Sequence, residues 1–288
     1  MSMNYENSKM NSLIVSKLPE LTKTEKNIAN YILNNEDKII YESITDLAEA
    51  TKSSDATIVR MCRKLGFNGF QEFKISIAKD TVTPLSKIHE GINPEDSAEQ
   101  ILSKCFASTI ETLTATLQII NIREFEAAAH AILNARRILV FGLGSSAPIA
   151  MDIAHKFMRI GLDTSFYSDS HYQMISCCSI SENDVVIGIS HSGSSKDIVE
   201  ALEFAKKLGA TTICITNHSK SPITKSNVSD IKLFTTSSET KYRVIGQSSR
   251  VAQLTIADAL FVCISLKKGE SAINNFERVD EALSIKKY

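Results

Sequence analysis

The sequence predicts an α/β protein in two parts, an all-α domain followed by a three-layer α/β/α sandwich with a parallel sheet. The chain has 288 residues, more than a single hydrophobic core usually holds. Residues 20–80 show short helical patterns separated by turns, whereas residues 137–235 alternate β-branched apolar runs with helical patterns. Apolar strands that alternate with helices favour a parallel sheet covered on both faces.

A polar segment divides the two parts. It contains three of the chain's turn-forming residues, which are Pro84, Gly91 and Pro94. Ser97 is placed to cap the long helix that follows. We therefore predict three regions: an all-α domain at 1–80, a linker at 81–96 and the sandwich at 97–288.

Strands and helices are predicted in turn along the second part. Five apolar runs are the predicted strands: ARRILVFGLG, DTSFYS, DVVIGIS, TTICITN and DIKLFTT. The predicted helices are SSAPIAMDIAHKFMRIG, a short piece before the third strand, SKDIVEALEFAKKLGA and SRVAQLTIADALFVCIS. The last helix is apolar around much of its circumference, which fits either a contact between subunits or packing on the sheet.

The overall composition is that of a soluble globular protein, with 43% hydrophobic and 23% charged residues. The net charge of −1 gives no general attraction to DNA or to a membrane, so such partners have to be identified from local patterns. The six cysteines form no CxxC pair, which fits a reducing cytoplasm. With no signal-peptide pattern and no apolar window of about 18 residues, we expect neither secretion nor a membrane location.

Two short helices around a tight turn are predicted within the first part. They cover residues 44–50 and 54–65, and the small Ala48 and the apolar Ile58 allow them to pack closely. This pattern is typical of a helix-turn-helix, in which the outer face of the second helix enters the major groove of DNA. A small helical bundle with a charged surface has the same pattern.

Six residues are candidates for DNA contacts: Lys52, Ser54, Thr57, Arg60, Arg63 and Lys64. Arg60 has the fork geometry that reads guanine edges, and Thr57 shares its helix face. The two lysines and Arg63 are candidates for phosphate contacts. The segment 52–74 holds five basic and two acidic residues, a modest excess in the right place.

Two loops rich in serine and glycine follow predicted strands in the second part. VFGLGSSAPIA contains Ser145 and Ser146, and IGISHSGSSKDI contains Ser190, Ser192, Ser194 and Ser195. Such loops lie at the carboxyl ends of parallel strands and lead into helix amino termini, where free N–H groups and the helix dipole favour an anion. We expect a phosphate-bearing ligand, although an ordinary turn rich in helix-capping residues has the same composition.

Other chemistries have weaker patterns. The GLG piece lacks the third glycine of a dinucleotide loop, and no GxxxxGK[ST] occurs, so no nucleotide cofactor is expected. No His, Cys or Asp cluster has metal-ligand spacing, so no metal site is expected. The adjacent Cys177 and Cys178 fit packing within a short helix.

The stretches LTKTEKNIANYILNN and ITDLAEATKSSDATIVRMCRKLGFNGFQEFK resemble the helix-turn-helix domain of the RpiR family of bacterial sugar-phosphate-responsive regulators. SDATIVRMCRKLGF is the most specific piece. Two positions depart from the usual motif, with Lys52 where glycine is common and Ser53 where an apolar residue is common. A residue other than glycine at positive φ costs about 1 kcal/mol, so we leave the shape of the turn open.

The second part resembles the sugar isomerase (SIS) domain that accompanies this helix-turn-helix, most specifically in ISHSGSSKDIVEALEFAKKLGATTICITN. The resemblance implies that both serine loops contact a phosphosugar, through Ser145, Ser146, Ser190, Ser192 and Ser195, with Ser194 as a further candidate. Glu239 either reaches the sugar hydroxyls or pairs with Arg243.

The two resemblances together imply a cytoplasmic transcriptional regulator of sugar metabolism genes, controlled by a phosphosugar effector. Because one helix-turn-helix contacts too little DNA for useful specificity, we expect a homodimer or homotetramer on its operator. The alternative is a phosphosugar isomerase or related SIS enzyme with a fused helical domain. Its candidate acids and bases are not paired by their spacing, so we assign no catalytic residue among Glu239, His171, His191 and His218.

Overall fold

The structure is a computed structural model, and it describes residues 9–40, 42–80, 92–93, 95–237 and 248–285. The described residues up to Ala107 form one compact unit, and those from Ser108 onward form a second. This division falls inside the long helix α7, Ala98–Ile119. The domain boundaries expected from the sequence stay a prediction.

The first unit contains six helices before α7. They are α1 (Lys9–Lys17), α2 (Lys23–Asn34), α3 (Glu36–Ile39), α4 (Ile44–Ala50), α5 (Asp55–Lys64) and α6 (Phe70–Asp80). Their apolar faces meet in one core, where Ile28, Leu47, Ile58 and Phe73 are completely buried. Thr22 and Ser43 each cap a helix through a reciprocal pair of hydrogen bonds, which fixes where α2 and α4 begin.

The second unit contains a parallel five-stranded sheet in the order β2-β1-β3-β4-β5. The strands are β1 (Arg137–Gly142), β2 (Thr164–Tyr167), β3 (Asp184–Ile189), β4 (Thr211–Thr216) and β5 (Ile231–Phe234). All five predicted strands are therefore confirmed. β1 and β3 are neighbours, and Gly142 is in register with Ile189, so the loops after these two strands open at the same edge of the sheet.

Helices cover both faces of this sheet. They are α8 (Ile122–Asn134), α9 (Ala147–Arg159), α10 (Ser170–Cys177), α11 (Lys196–Lys207), α12 (Ser248–Lys268) and α13 (Glu270–Ser284). Successive residues of β1 point to opposite faces: Ile138 and Val140 join the core with α8, α9 and α12, whereas Leu139 and Phe141 join the core with α10 and α11. The predicted three-layer sandwich is confirmed.

Helix α12 is long and apolar enough to cross a membrane by length and composition alone. Its Ala252, Ile256, Leu260 and Ile264 are nevertheless buried in the core against the sheet, as in the core helix of a globular domain. The opposite side of α12 leaves Val262 and Leu266 exposed. Packing on the sheet, one of its two predicted roles, is thus observed.

Candidate functional site

The turn between α4 and α5 lacks glycine but contains one residue in the left-handed region. Lys52 adopts φ 50°, the only positive φ among the described residues other than glycine. The amide of Ser53 donates to the carbonyl of Ala48 at 2.8 Å, and the Thr51 and Ser53 hydroxyls lie 2.8 Å apart. Lys52 therefore occupies a strained conformation. The Ser53 hydroxyl forms a hydrogen bond at a position where the usual motif has an apolar side chain.

Helix α5 presents the candidate DNA-contacting residues on its surface. Lys52, Ser54, Arg60, Arg63 and Lys64 are exposed, and Thr57 is half-buried. Ser54 is the N-cap of the helix, and its hydroxyl also lies 2.9 Å from the Thr57 hydroxyl. A base contact by either side chain would have to be made alongside this hydrogen bond or in place of it.

Lys64 has a structural partner that its position in the sequence did not suggest. Its ammonium donates to the buried carboxylate of Glu25 on α2 at 2.7 Å. Burial raises the pKa of Glu25, but hydrogen bonds from Lys64 and Thr22 outweigh burial and leave this pKa below its ordinary value of 4.5. The T-x-x-E spacing of Thr22 and Glu25 marks a capping box, the one signal in the sequence that points to Glu25.

The loop after β1 forms one side of the candidate ligand site. Gly144–Ser146 forms a 3-10 turn that leads directly into α9. Ser145 is exposed at this turn and Ser146 is buried, so only Ser145 presents its side chain openly to solvent. The turn lies at the edge of the sheet where the β3 loop also opens.

The loop after β3 forms the other side of the site. The hydroxyls of Ser190 and Ser195 lie 3.0 Å apart, and the Ser192 hydroxyl accepts from the amide of Ser194 at 3.3 Å. Ser195 is the N-cap of α11, yet its side chain does not cap the helix. The first N–H groups of α11 are therefore not satisfied by Ser195, an arrangement that favours a bound anion.

Strand β4 and the segment after it hold the β3 loop in place. The amide of Ile223 donates to the carbonyl of Gly193 at 3.0 Å, and the amide of Ser190 donates to the carbonyl of Ile215 at 3.1 Å. Gly193 has φ 63°, and a Cβ atom on it would lie 2.1 Å from the Ser221 hydroxyl. Only glycine fits between the loop and Ser221, a constraint that the sequence does not display.

The remaining sequence predictions concern Glu239, Cys177 and the absence of a metal site. Glu239 and Arg243 lie outside the described residues, so the choice between their two predicted roles stays open. Burial raises the pKa of the Cys177 thiol to about 12, which fits packing and not reactivity. Within the part of the chain that the structure describes, no three His, Cys, Asp or Glu side chains are grouped to hold a metal ion.

Family models match both parts of the chain. Residues 8–84 match the helix-turn-helix domain of the rpiR family, and residues 131–263 match the SIS domain. The second match includes the sheet and both serine loops. The first includes every candidate for a DNA contact.

Several curated relatives match the chain over nearly its whole length. An uncharacterized HTH-type transcriptional regulator of Caldanaerobacter subterraneus is 38% identical over 92% of this chain and 94% of its own length. The Escherichia coli regulator HexR is 32% identical over 96% of this chain and 94% of its own. The Escherichia coli regulator RpiR is 32% identical over 90% of this chain and 86% of its own.

Solved structures that share the fold include those of NanR and of an RpiR sugar isomerase domain. The Vibrio vulnificus NanR protein, solved in complex with ManNAc-6P, superposes with a TM-score of 0.79 at 24% identity and covers 97% of this chain and 99% of its own. The sugar isomerase domain of an RpiR transcription factor from Sphaerobacter thermophilus superposes with a TM-score of 0.57 at 26% identity. It covers 63% of this chain and 99% of its own.

Proposed function

Because this chain belongs to the RpiR family of helix-turn-helix transcriptional regulators, we propose that a phosphosugar bound at its two serine loops controls its binding to operator DNA. The chain is a transcriptional regulator, the role that its relatives' names give them.

One observation carries the assignment of the effector site. Two loops with serine side chains open at the same sheet edge, and the first N–H groups of α11 at this edge are not capped by Ser195. A phosphate needs several donors and no acceptor, and hydroxyls with helix N–H groups supply such a set. NanR, which shares this fold, was solved with a sugar phosphate.

The proposed DNA surface is the exposed face of α5 with the preceding turn. Arg60 lies on this face, where a guanidinium reaches base edges, and Lys52 and Arg63 are exposed beside it, where they would reach phosphates. One such helix reads a single half-site, so specificity requires a second copy of the chain. The exposed apolar side chains of Val262 and Leu266 on α12 support assembly into a homodimer or homotetramer.

Control by the effector requires two arrangements of the protein that differ in affinity for both ligands. A phosphosugar that binds the DNA-competent arrangement more tightly acts as a co-activator of DNA binding, and one that binds the other arrangement releases DNA. We place this regulation in the cytoplasm, where both sugar phosphates and the chromosome are present.

The test is a thermal-shift screen of the full chain with sugar phosphates, with the matching free sugars and inorganic phosphate as controls. A ligand at 100 times its dissociation constant stabilises the folded state by about 2.7 kcal/mol, which gives a clear shift. We expect a selective rise in melting temperature with at least one sugar phosphate. After incubation with the protein, that sugar phosphate should be recovered without chemical conversion. An absence of any shift would remove the phosphosugar from the proposal, whereas conversion of the ligand would contradict a pure sensor.

DNA binding is tested separately by selecting operator sequences from a random duplex library with the full chain. We expect the selected sequences to be palindromes or repeats, with half-sites one or more helical turns apart. Adding the ligand from the screen should then change the affinity for a selected sequence. Selected sequences with a single half-site would contradict the oligomeric part of the proposal.

A further inference from the structure

Two histidines meet at the edge of the sheet that carries the serine loops. His191 lies in the loop after β3, between Ser190 and Ser192, and His218 lies two residues after the end of β4. Their ring centroids are 6.1 Å apart and the ring planes are inclined by 76°. Both residues are half-buried, so part of each remains accessible from solvent.

The backbone of both histidines is fixed by the same buried side chain. The hydroxyl of Thr216 donates to the carbonyl of His191 at 3.2 Å and accepts from the amide of His218 at 3.4 Å. The amide of Asn217 also donates to the His191 carbonyl, at 3.1 Å, and the Ser221 hydroxyl donates to the His218 carbonyl at 3.0 Å. The backbone positions from which the two rings project are therefore held before a ligand arrives, which lowers the entropic cost of ordering this part of the loop on binding.

The two imidazoles add donor and acceptor nitrogens to the serine hydroxyls and helix N–H groups at this sheet edge. A neutral imidazole presents one donor nitrogen and one acceptor nitrogen. A phosphate accepts hydrogen bonds only, whereas each sugar hydroxyl both donates and accepts. Two imidazoles beside a phosphate site are thus matched to the hydroxyl-bearing part of a phosphosugar.

We propose that His191 and His218 together bind hydroxyl groups of the effector and determine which phosphosugar the protein selects. This inference rests on the proposed function, because it assumes that the phosphate occupies the adjacent serine loops. It assigns the pair a role in selectivity between sugars, separate from the affinity that the phosphate supplies.

The test compares the variants His191→Asn and His218→Asn with the wild-type full chain. His155→Asn is the matched control, because His155 is exposed on α9 outside both serine loops. Binding of fructose 6-phosphate, glucose 6-phosphate, N-acetylmannosamine 6-phosphate and inorganic phosphate is measured by titration calorimetry. Circular dichroism of each variant checks that it is folded.

We expect each site variant to bind the preferred sugar phosphate about tenfold more weakly, as loss of one buried hydrogen bond predicts. Inorganic phosphate should bind within about twofold of its wild-type affinity, and the order of preference among the three sugar phosphates should change. Unchanged sugar affinity would overturn the proposal, and so would an equal loss for sugar phosphate and inorganic phosphate, because that result indicates a collapsed loop. A wild-type chain that binds none of the probes would instead refute the proposed function itself.

Discussion

The ammonium of Lys64 lies 2.7 Å from a carboxylate oxygen of Glu25, so an ion pair joins the end of α5 to the start of α2. The Glu25 side chain is 2% exposed and that of Lys64 is 36% exposed, which places the pair at the edge of the core. The same carboxylate accepts a hydrogen bond from the Thr22 amide. One acidic residue therefore both caps α2 and anchors the helix proposed to read DNA.

Replacing Lys64 should destabilise the first unit. Lys64→Met leaves a buried carboxylate without its cation, which we expect to cost about 1–3 kcal/mol of unfolding free energy. Arg63→Met is the matched control, because Arg63 is exposed on the same helical turn and should change stability little. Urea unfolding of both variants measures the difference, and equal stabilities would show that the ion pair contributes nothing.

The same two variants distinguish structural from DNA-contacting roles. If Arg63 binds a phosphate of the operator, Arg63→Met should reduce the salt dependence of operator binding by about one unit of slope. A Lys64 engaged with Glu25 predicts a smaller change for Lys64→Met. A reduction by a full unit of slope in both variants would restore Lys64 as a phosphate-binding residue.

Acid should weaken the first unit through Glu25. Its pKa in the folded protein lies below 4.5, because the hydrogen bonds from Lys64 and Thr22 outweigh the effect of burial. The unfolded chain therefore takes up a proton at Glu25 before the folded chain does, and stability falls as the pH drops through 4.5 and below. Glu25→Gln should flatten this dependence in thermal melts at graded pH, and a curve parallel to the wild type would contradict the assignment.

Alkaline pH should stabilise the first unit through Lys74. Burial lowers the pKa of its ammonium to about 8, although Glu42 and Asp46 act in the other direction, and the ammonium donates to the carbonyl of Glu42 at 2.7 Å. The unfolded chain keeps this proton up to about 10.5, so the contribution of Lys74 to stability rises between pH 8 and 10.5. Lys74→Met should remove that rise, while Lys26→Met, at an exposed lysine of α2, should keep it.

Relief of backbone strain should stabilise the turn at Lys52. Lys52→Gly removes the side chain from φ 50°, with an expected gain of about 1 kcal/mol. Lys52→Ala keeps the strain and removes only the charge, so the difference between the two variants isolates the backbone contribution. Chemical denaturation of both measures it, and a glycine variant no more stable than the alanine variant would show that the turn carries no strain.

A methyl group at Gly193 should damage the proposed effector site. Gly193→Ala meets the Ser221 hydroxyl at 2.1 Å and also retains φ 63°, so the loop has to move. We expect a loss of about 1–3 kcal/mol and the disappearance of the effector-induced thermal shift. Gly66→Ala is the control, because Gly66 has φ 94° but no atom lies within 4 Å of the place that its new methyl group would take. An effector shift retained by Gly193→Ala would refute the constraint.

The regular part of the fold was predictable because its pattern is local. Runs such as DVVIGIS carry the strand signal in their own residues. Ser97 caps the start of α7 as expected, and the Gln100 side chain, which was not predicted to take part, accepts a hydrogen bond from the Ser97 amide. The paired serine loops were predictable for the same reason, since each follows an apolar strand. Local periodicity therefore sufficed for the strands, the layers and the sheet edge that carries the loops.

The contacts that shape the candidate sites were not predictable, because they join residues far apart in the chain. Glu25 meets Lys64 only after α2 and α5 pack, and Gly193 meets Ser221 only because β3 and β4 are neighbours. Lys52 was identified as unusual, but whether the turn would change shape or accept strain depended on how α4 and α5 pack. In the structure, Lys52 keeps a positive φ, so the turn accepts backbone strain.

The positive φ of Lys52 favours glycine for folding, whereas the proposed phosphate contact favours lysine at the same position. In a library of all substitutions at this position, selection of cells only for the amount of soluble protein should enrich the glycine variant. Selection of cells by repression or activation of a reporter gene should retain lysine, if its charge contacts the operator. The ratio of glycine to lysine enrichment between the two selections would then compare the loss of folding stability at this position with the gain in operator binding from one cation.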